Sequence, residues 1–202
     1  MDANQKGLTL DRLKAFSDGV FAIVLTVLVL ELEAPDTQGI GIRELLVAME
    51  PQLRSYISSF ACITVFWITQ VVIIHYIDHT DRTFIWLNVL LFLPVSLAPF
   101  LTELRTTHMG NPSMAWLSGG TQVAALLILL GIWRYATQRL RTKPLSRDVV
   151  RSLDLRIYAA IGLYLLGAML APWNERVATL CFLLGLLPFF NHQKLDREAV
   201  SS

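Results

Sequence analysis

The chain has 202 residues, of which 54% are hydrophobic and only 16% charged, whereas about a quarter of the residues are charged in soluble domains. This composition predicts a membrane protein that crosses the lipid bilayer several times. The formal net charge of +1 and the lack of a basic arm in the sequence argue against a nucleic-acid partner.

The first apolar run covers residues 16–32 and is about long enough to cross the hydrocarbon core of a bilayer as a helix. Ser17 and Asp18 stand at its start and Thr26 in its middle, which a purely structural span would not need. A cleaved signal peptide is disfavoured, because Asp18 interrupts the apolar stretch and no small-residue cleavage site follows it. The first helix is therefore predicted to do more than anchor the chain.

Helical spacing divides this first helix into two faces. At ~100° per residue, one face carries a line of apolar side chains interrupted by a single hydroxyl group. The residues of this face are Ile23, Thr26, Val27 and Leu30, extended toward the N-terminus by Gly19, Phe16 and Arg12. Ser17 and Asp18 point elsewhere and need polar partners inside the protein. A helix that packs by one face and lines something by the other is typical of a channel.

Further apolar runs predict an all-α protein with six transmembrane helices. A polar loop and a short amphipathic piece over residues 43–49 lead to the second span. The remaining spans are predicted at residues 56–77, 84–104, 114–135, 157–170 and 177–190, with a basic connection of little helix potential over residues 139–156. The sixth span is short, so a reentrant or interfacial segment is the alternative. No internal repeat supports an inverted-repeat transporter.

The basic residues predict the orientation. Thirteen of the seventeen Lys and Arg residues lie in the N-terminal segment, the second–third link, the fourth–fifth connection and the C-terminal tail. The other four are Arg43, Arg54, Arg105 and Arg176. By the positive-inside rule, both termini are predicted to be cytoplasmic in the cell membrane. The predicted divisions are a cytoplasmic segment over residues 1–11, a transmembrane unit over residues 12–191 and a cytoplasmic tail over residues 192–202.

Polar residues inside the spans have two interpretations. Buried polar groups in lipid must pair, so interhelical hydrogen bonds are the default expectation for Trp67, Gln70 and Asn88, with direct ion contact as the alternative. His75 and His79 have the spacing of metal ligands on a helix, but a solvated helix end is preferred because a zinc site needs three or four ligands. No metal site and no cofactor are predicted.

Acidic residues crowd the loop after the first helix. They are Glu31, Glu33, Asp36, Glu44 and Glu50. In a monomer this is an acidic surface loop, whereas repetition around a symmetric pore would make a mouth that attracts cations. The sequence contains no T-V-G-Y-G filter, which excludes potassium selectivity by the usual carbonyl rings. It also has no phosphate-binding glycine loop, nucleophile elbow or zincin motif, so no enzyme is predicted.

The start of the first helix also carries a family signature. Its R-x-x-x-F-S-D pattern, formed by Arg12, Phe16, Ser17 and Asp18 and continued by G-V-F-A-I, resembles that of the lysosomal potassium channel family (transmembrane protein 175) and its prokaryotic relatives. Residues of the second and third spans resemble the family as well, namely Trp67, Asp81, Trp86, Asn88, Pro99 and Phe100. The family often has two histidines where this chain has Gln70 and Val71.

The resemblance implies a potassium-permeable leak channel. The family implies a six-helix unit, and a chain with one unit would need four copies, as a homotetramer, to enclose a pore lined by the first helix. Bulky side chains matching Ile23, Val27 and Leu30 would form a hydrophobic constriction, and Thr26 would match a hydroxyl layer linked to potassium preference. Arg12, Phe16, Ser17 and Asp18, with Trp67 and Asn88, would hold the pore helix against its neighbours.

Two other functions remain open at this point. One is a proton-coupled transporter that uses Asp18 as the proton carrier, because an intramembrane acid is a functional hypothesis by default. The position of Asp18 off the Ile23 face favours a structural role instead. The other is a purely structural membrane scaffold. Passive flux that follows the potassium gradient would favour the channel, and saturable flux that needs a proton gradient would favour the transporter.

Overall fold

A computed structural model describes residues 3–32, 41–108, 111–141 and 146–190, and this part of the chain is helical. A 3₁₀ turn (Leu28–Glu31) continues the first helix, and a π turn (Ala136–Leu140) continues the fourth. The helices are α1 (Ala3–Val27), α2 (Ile42–His75), α3 (Arg82–Thr107), α4 (Pro112–Tyr135), α5 (Arg147–Leu170), α6 (Glu175–Leu184) and α7 (Leu187–Phe190). Five of them, α1 to α5, are long and apolar enough to cross a membrane.

Polar side chains set the starts of several helices. Asp81 accepts a hydrogen bond from the backbone N–H of Phe84 (2.8 Å) at the start of α3, and Ser146 does the same for Val149 (3.2 Å) at the start of α5. Asn174 accepts from two backbone N–H groups at the start of α6. These contacts satisfy amides that have no partner within the helix, so each polar link ends where a helix begins.

Three of the basic segments lie at one end of the bundle. The backbone of Ile77, after α2, pairs with that of Arg141, after α4. The Tyr135 hydroxyl at the end of α4 donates to Asp81, which joins the same two connections. The middle of α1 packs against the C-terminal half of α2, where Trp67 contacts Asp18 and Gln70 contacts Ser17, so the two helices are antiparallel and the N-terminal half of α1 runs toward the same end. This end, which we call the basic end, therefore gathers three of the four segments that the sequence predicts to be cytoplasmic; the C-terminal tail lies outside the described residues.

The predicted break between an amphipathic piece at residues 43–49 and the second span is wrong. The structure has a single 34-residue helix that passes through Pro51 and is about 50 Å long at 1.5 Å per residue. Proline removes the hydrogen bond to the carbonyl four residues earlier, here that of Val47. Val47 is exposed, so water can solvate this carbonyl and the helix continues.

The predicted connection over residues 139–156 is also wrong, because α5 already begins at Arg147. The first turns of α5 contain many charged residues, but their apolar residues lie on one face of the helix. A buried stripe at helical spacing runs from them into the predicted span and consists of Val149, Leu153, Ile157, Ala160 and Tyr164. On the outer side, Asp154 accepts two hydrogen bonds from the guanidinium of Arg134 on α4, at 3.2 and 3.0 Å. Packing and this ion pair together make the segment helical.

The sixth predicted span is represented by a shorter, broken segment. α6 has 10 residues and α7 has 4, which at 1.5 Å per residue is less than the ~30 Å of a bilayer core. The segment packs tightly on α5, since a Cβ atom on Gly167 would lie 2.7 Å from the ring of Phe182. The described residues thus contain five candidate membrane spans, and a full sixth crossing stays a prediction.

Candidate functional site

The first helix has one buried and one uncovered face. Leu13, Ser17, Phe21 and Leu28 are buried against α2 and α3. The predicted lining residues Phe16, Ile23, Thr26, Val27 and Leu30 are all exposed. Ile23 is 64% exposed and Leu30 is 77% exposed. Only 22% of the α1 span is buried within its own chain, against 50% for the spans of α2 and α3, so its outer face is free to meet lipid or another copy.

Helix geometry aligns the three predicted constriction residues. Ile23 and Val27 are four residues apart in α1, so they lie on one face on consecutive turns. After Val27 the chain tightens into the 3₁₀ turn, where side chains three residues apart eclipse one another. Leu30 therefore stays in line with Val27. The result is a continuous apolar line along the outer half of the helix.

Thr26 adds a polar oxygen beside this line. Its hydroxyl lies 3.0 Å from the carbonyl oxygen of Ala22 and 2.9 Å from that of Ile23, and it donates its single proton to these acceptors within α1. The oxygen's lone pairs are left on the exposed side of the helix. Such an oxygen can accept a hydrogen bond or contact a cation, but it cannot donate outward.

Polar contacts anchor the buried face of α1 to the bundle. The hydroxyl of Ser17 donates to the carbonyl of Leu13 (2.8 Å) and accepts a long hydrogen bond from the side-chain amide of Gln70 on α2 (3.4 Å). The same amide donates to Asn88 on α3 (2.6 Å), and Asn88 donates to the carbonyl of Phe84 (2.7 Å). One chain of contacts therefore links three helices inside the apolar core.

Asp18 has a separate contact. Its carboxylate accepts a hydrogen bond from the indole N–H of Trp67 on α2 at 2.9 Å. Arg12 lies on the exposed side of α1, and Asp18 accepts from Trp67 and not from Arg12. Phe16 packs edge-on against Phe92 of α3, with ring centroids 5.8 Å apart. Phe16, Ser17 and Asp18 thus meet α2 and α3 through different partners rather than forming one cluster.

Gln70 is the residue that sequence reasoning underrated. The predicted anchoring set contained Ser17 and Asn88, which do not contact each other directly but are joined through Gln70. The available signal was a polar residue one turn after Trp67 within an apolar span. In this chain the side-chain amide of Gln70 makes the polar link.

Of the acids predicted to form an outer mouth, Glu44 and Glu50 lie in the N-terminal part of α2. The side chain of Glu31 and the whole of Glu33 and Asp36 lie outside the described residues. At the basic end, His79 contacts Asp78 at 2.7 Å and His75 packs on the ring of Tyr76. Within the described ranges, no group of three or more His, Cys, Asp and Glu side chains is arranged to hold a metal ion.

Comparison with known proteins decides the family. The profile of the endosomal/lysosomal potassium channel TMEM175 matches residues 12–99, which include most of α1, the whole of α2 and most of α3. A potassium channel of Chamaesiphon minutus is 30% identical over 184 residues, covering 87% of this chain and 91% of that protein. The chain belongs to the TMEM175 family. A second TMEM175 relative, a potassium channel of Streptomyces collinus, is 29% identical over 156 residues and covers 75% of this chain and 76% of its own.

The fold agrees with this TMEM175 membership. The crystal structure of a lysosomal potassium-selective channel TMEM175 homolog from Chamaesiphon minutus superposes with a TM-score of 0.77 at 28% identity. The superposition covers 90% of this chain and 97% of that one. The predicted relationship, drawn from the R-x-x-x-F-S-D signature, is confirmed. The protein is a multi-pass membrane protein of an ion-channel family, and the family is not one of enzymes.

Proposed function

We propose that this chain forms a potassium channel as a homotetramer, with the uncovered face of α1 turned toward a central pore. The observation that carries this proposal is the face itself. The apolar line of Ile23, Val27 and Leu30 is left uncovered while the opposite side of the helix is anchored by polar contacts. Membership of a family whose relatives are named potassium channels supports potassium as the permeant ion.

In this channel the apolar line acts as the barrier. Four copies of Ile23 around one axis would narrow the path with side chains that cannot replace the hydration of an ion. An ion that passes must shed water with little in return, and a narrow apolar section dries easily. The pore closes by dewetting and conducts when the constriction widens. In the tetramer, the four copies of Thr26 would each place one hydroxyl oxygen beside the constriction, with its lone pairs directed away from its own helix. A partly dehydrated potassium ion would find its nearest polar contact there.

Reconstitution into liposomes tests the channel directly. We expect passive potassium flux that follows the potassium gradient, does not require a proton gradient and comes from protein whose native mass is four times the 22.7 kDa of the chain. Potassium efflux down a potassium gradient is compared with sodium efflux down a sodium gradient of the same size, with protein-free liposomes as the control. A conducting monomer or dimer would contradict the tetrameric pore.

The proton-coupled alternative is separated by a second arm of the same assay. Asp18 lies off the Ile23 face and its carboxylate is occupied by the indole of Trp67, which suits a positioning role. Asp18→Asn keeps an oxygen that can accept from Trp67, so flux should continue in assembled protein. If Asp18→Asn assembles normally but abolishes a flux that depends on a proton gradient, the transporter interpretation replaces the channel.

The membrane orientation makes a further prediction. The second–third link, the fourth–fifth connection and the N-terminal half of α1 share the basic end, which we place in the cytoplasm of a cell-membrane protein. With the segment Arg176–Phe189 crossing the membrane, the C-terminus should also be cytoplasmic. A reporter fused after Ser202 should be active only in the cytoplasm. A second reporter, inserted near Arg141, should be active in the cytoplasm as well. If it is, but the reporter after Ser202 is active only outside, the segment Arg176–Phe189 does not cross the membrane.

A further inference from the structure

A crevice opens at the end of the bundle opposite the basic end. It lies between the N-terminal part of α2, the C-terminal part of α3 and the start of α6, and its volume is about 560 Å³. Its described lining includes three arginines, Arg54, Arg105 and Arg176, against one acid, Glu50. Only four of the seventeen basic residues lie on this side in the predicted topology, so three of the four converge on one place.

Each arginine reaches the crevice from a different helix. Arg105 on α3 donates to the hydroxyl of Thr179 and lies 4.7 Å from the centre of the Phe182 ring, which fixes its position. Arg54 on α2 pairs with Glu50 at 3.4 Å, but its side chain is 47% exposed and the pair is weak in water. Arg176, in the first turn of α6, is exposed. The crevice thus holds a net positive charge.

Two hydroxyl groups that line the crevice already donate their protons within the protein. Ser58 lies 2.9 Å from the carbonyl of Ser55, and Thr102 lies 2.8 Å from that of Ala98, so both donate their protons within their own helices. A ligand that enters meets guanidinium donors first. Planar guanidinium groups bind phosphate oxygens in pairs of parallel hydrogen bonds, which an ammonium group cannot do.

An apolar stripe leads away from the crevice. Leu180 lines it, Leu184 follows one turn later in α6, and Leu187 begins α7 after the turn at residues 185–186. All three side chains are exposed. A phosphate group in the crevice would therefore sit at the head of an apolar track, which is the arrangement that an amphiphile needs and a free anion does not.

We propose that this crevice binds the phosphate group of an anionic phospholipid, with an acyl chain lying along Leu180, Leu184 and Leu187. The site is independent of ion passage, because it is formed by α2, α3 and α6 and includes no residue of the uncovered α1 face. It would stabilise the outer end of the chain, where α6 is short. Bound lipid would hold α2, α3 and α6 together by contacting an arginine from each.

Thermal unfolding of the detergent-solubilised protein tests the site, because a ligand that binds only the folded state stabilises it by RT ln(1 + L/Kd), where L is the free ligand concentration, and so raises the melting temperature. The probe is short-chain phosphatidylglycerol. We expect Tm to rise with lipid concentration, and the concentration that gives the same rise should be about tenfold higher in Arg176→Gln and in Arg54→Gln, as for the loss of one charge-assisted hydrogen bond. Arg105 is left unchanged, since its contacts with Thr179 and Phe182 also support the fold.

Arg43→Gln is the matched control. Arg43 lies near the start of α2 on the same side and carries the same charge, but it does not line the crevice. Its response should equal that of the unchanged protein. An equal loss in Arg43→Gln, or an equal rise in Tm with phosphatidylcholine of the same chain length, would overturn the site. An equal rise in Tm with inorganic phosphate alone would show a free-anion site and would overturn the lipid proposal.

Discussion

Ile23→Asn is expected to increase potassium current and to weaken the preference for potassium over sodium. Ile23 is exposed in the middle of the uncovered face, so the substitution hardly disturbs packing within the chain. An amide at this position offers donors and acceptors where the pore would otherwise be dry, and ions could then pass with part of their water. Each ~1.4 kcal/mol removed from the barrier raises passage about tenfold.

Leu25→Asn is the control for this prediction. Leu25 is partly buried and packs against the core of its own chain, so an amide there should lower the yield of folded protein without opening a pore. Single-channel or liposome measurements on protein of equal assembled mass compare the two variants in potassium and in sodium. Unchanged conductance and selectivity in Ile23→Asn, or an equal gain in Leu25→Asn, would show that this face does not form the barrier.

The face of α1 could be predicted because it depends on one helix alone. Residues three and four apart share a face in any α-helix, so the spacing of Ile23, Thr26, Val27 and Leu30 defines their side chains' common direction. The buried Ser17 follows from the same spacing. What the uncovered face meets, whether lipid or other copies around an axis, depends on molecules outside the chain, so it stays a proposal.

Helix boundaries were predicted less well, because composition and periodicity disagree there. The start of α5 is rich in charged residues, which suggested a loop, yet Val149 and Leu153 continue the buried stripe of the span. The piece over residues 43–49 was predicted to be separate from the second span, but α2 continues through Pro51, because a proline whose freed carbonyl meets solvent need not end a helix. In both places the helix extends beyond the apolar core, where hydropathy carries little information.

Pairing between spans was the part that the sequence could not provide. The sequence shows that the spans contain polar residues, but which of these residues meet depends on the rotation of each helix and on its depth in the membrane. Only the structure shows that Gln70 reaches both Ser17 and Asn88, and that Asp18 is met by Trp67. These contacts fix the rotation of α1, and the rotation of α1 decides which side chains would face a pore.

Gln70→Leu should therefore destabilise the protein and loosen the attachment of α1 to α2 and α3. Gln70 and Asn88 are almost completely buried, and removing the amide leaves the Asn88 carbonyl oxygen without its 2.6 Å donor. An unsatisfied buried group costs ~1–3 kcal/mol, although polar contacts between membrane helices usually fall in the lower part of that range. For a chain of this size, a loss of about 1–2 kcal/mol corresponds to a Tm lower by roughly 2–8 °C.

Two matched variants make this prediction specific. Thr69→Val removes a buried hydroxyl whose 2.7 Å hydrogen bond stays within α2, so it should lower Tm less and leave assembly intact. Gln70→His keeps an N–H that can donate to Asn88, so it should recover much of the Tm and of the tetramer yield. Thermal unfolding and native mass measure both quantities on the same samples. If Gln70→Leu matches the unchanged protein, or if Gln70→His is no better than Gln70→Leu, the polar link does not hold α1 in place.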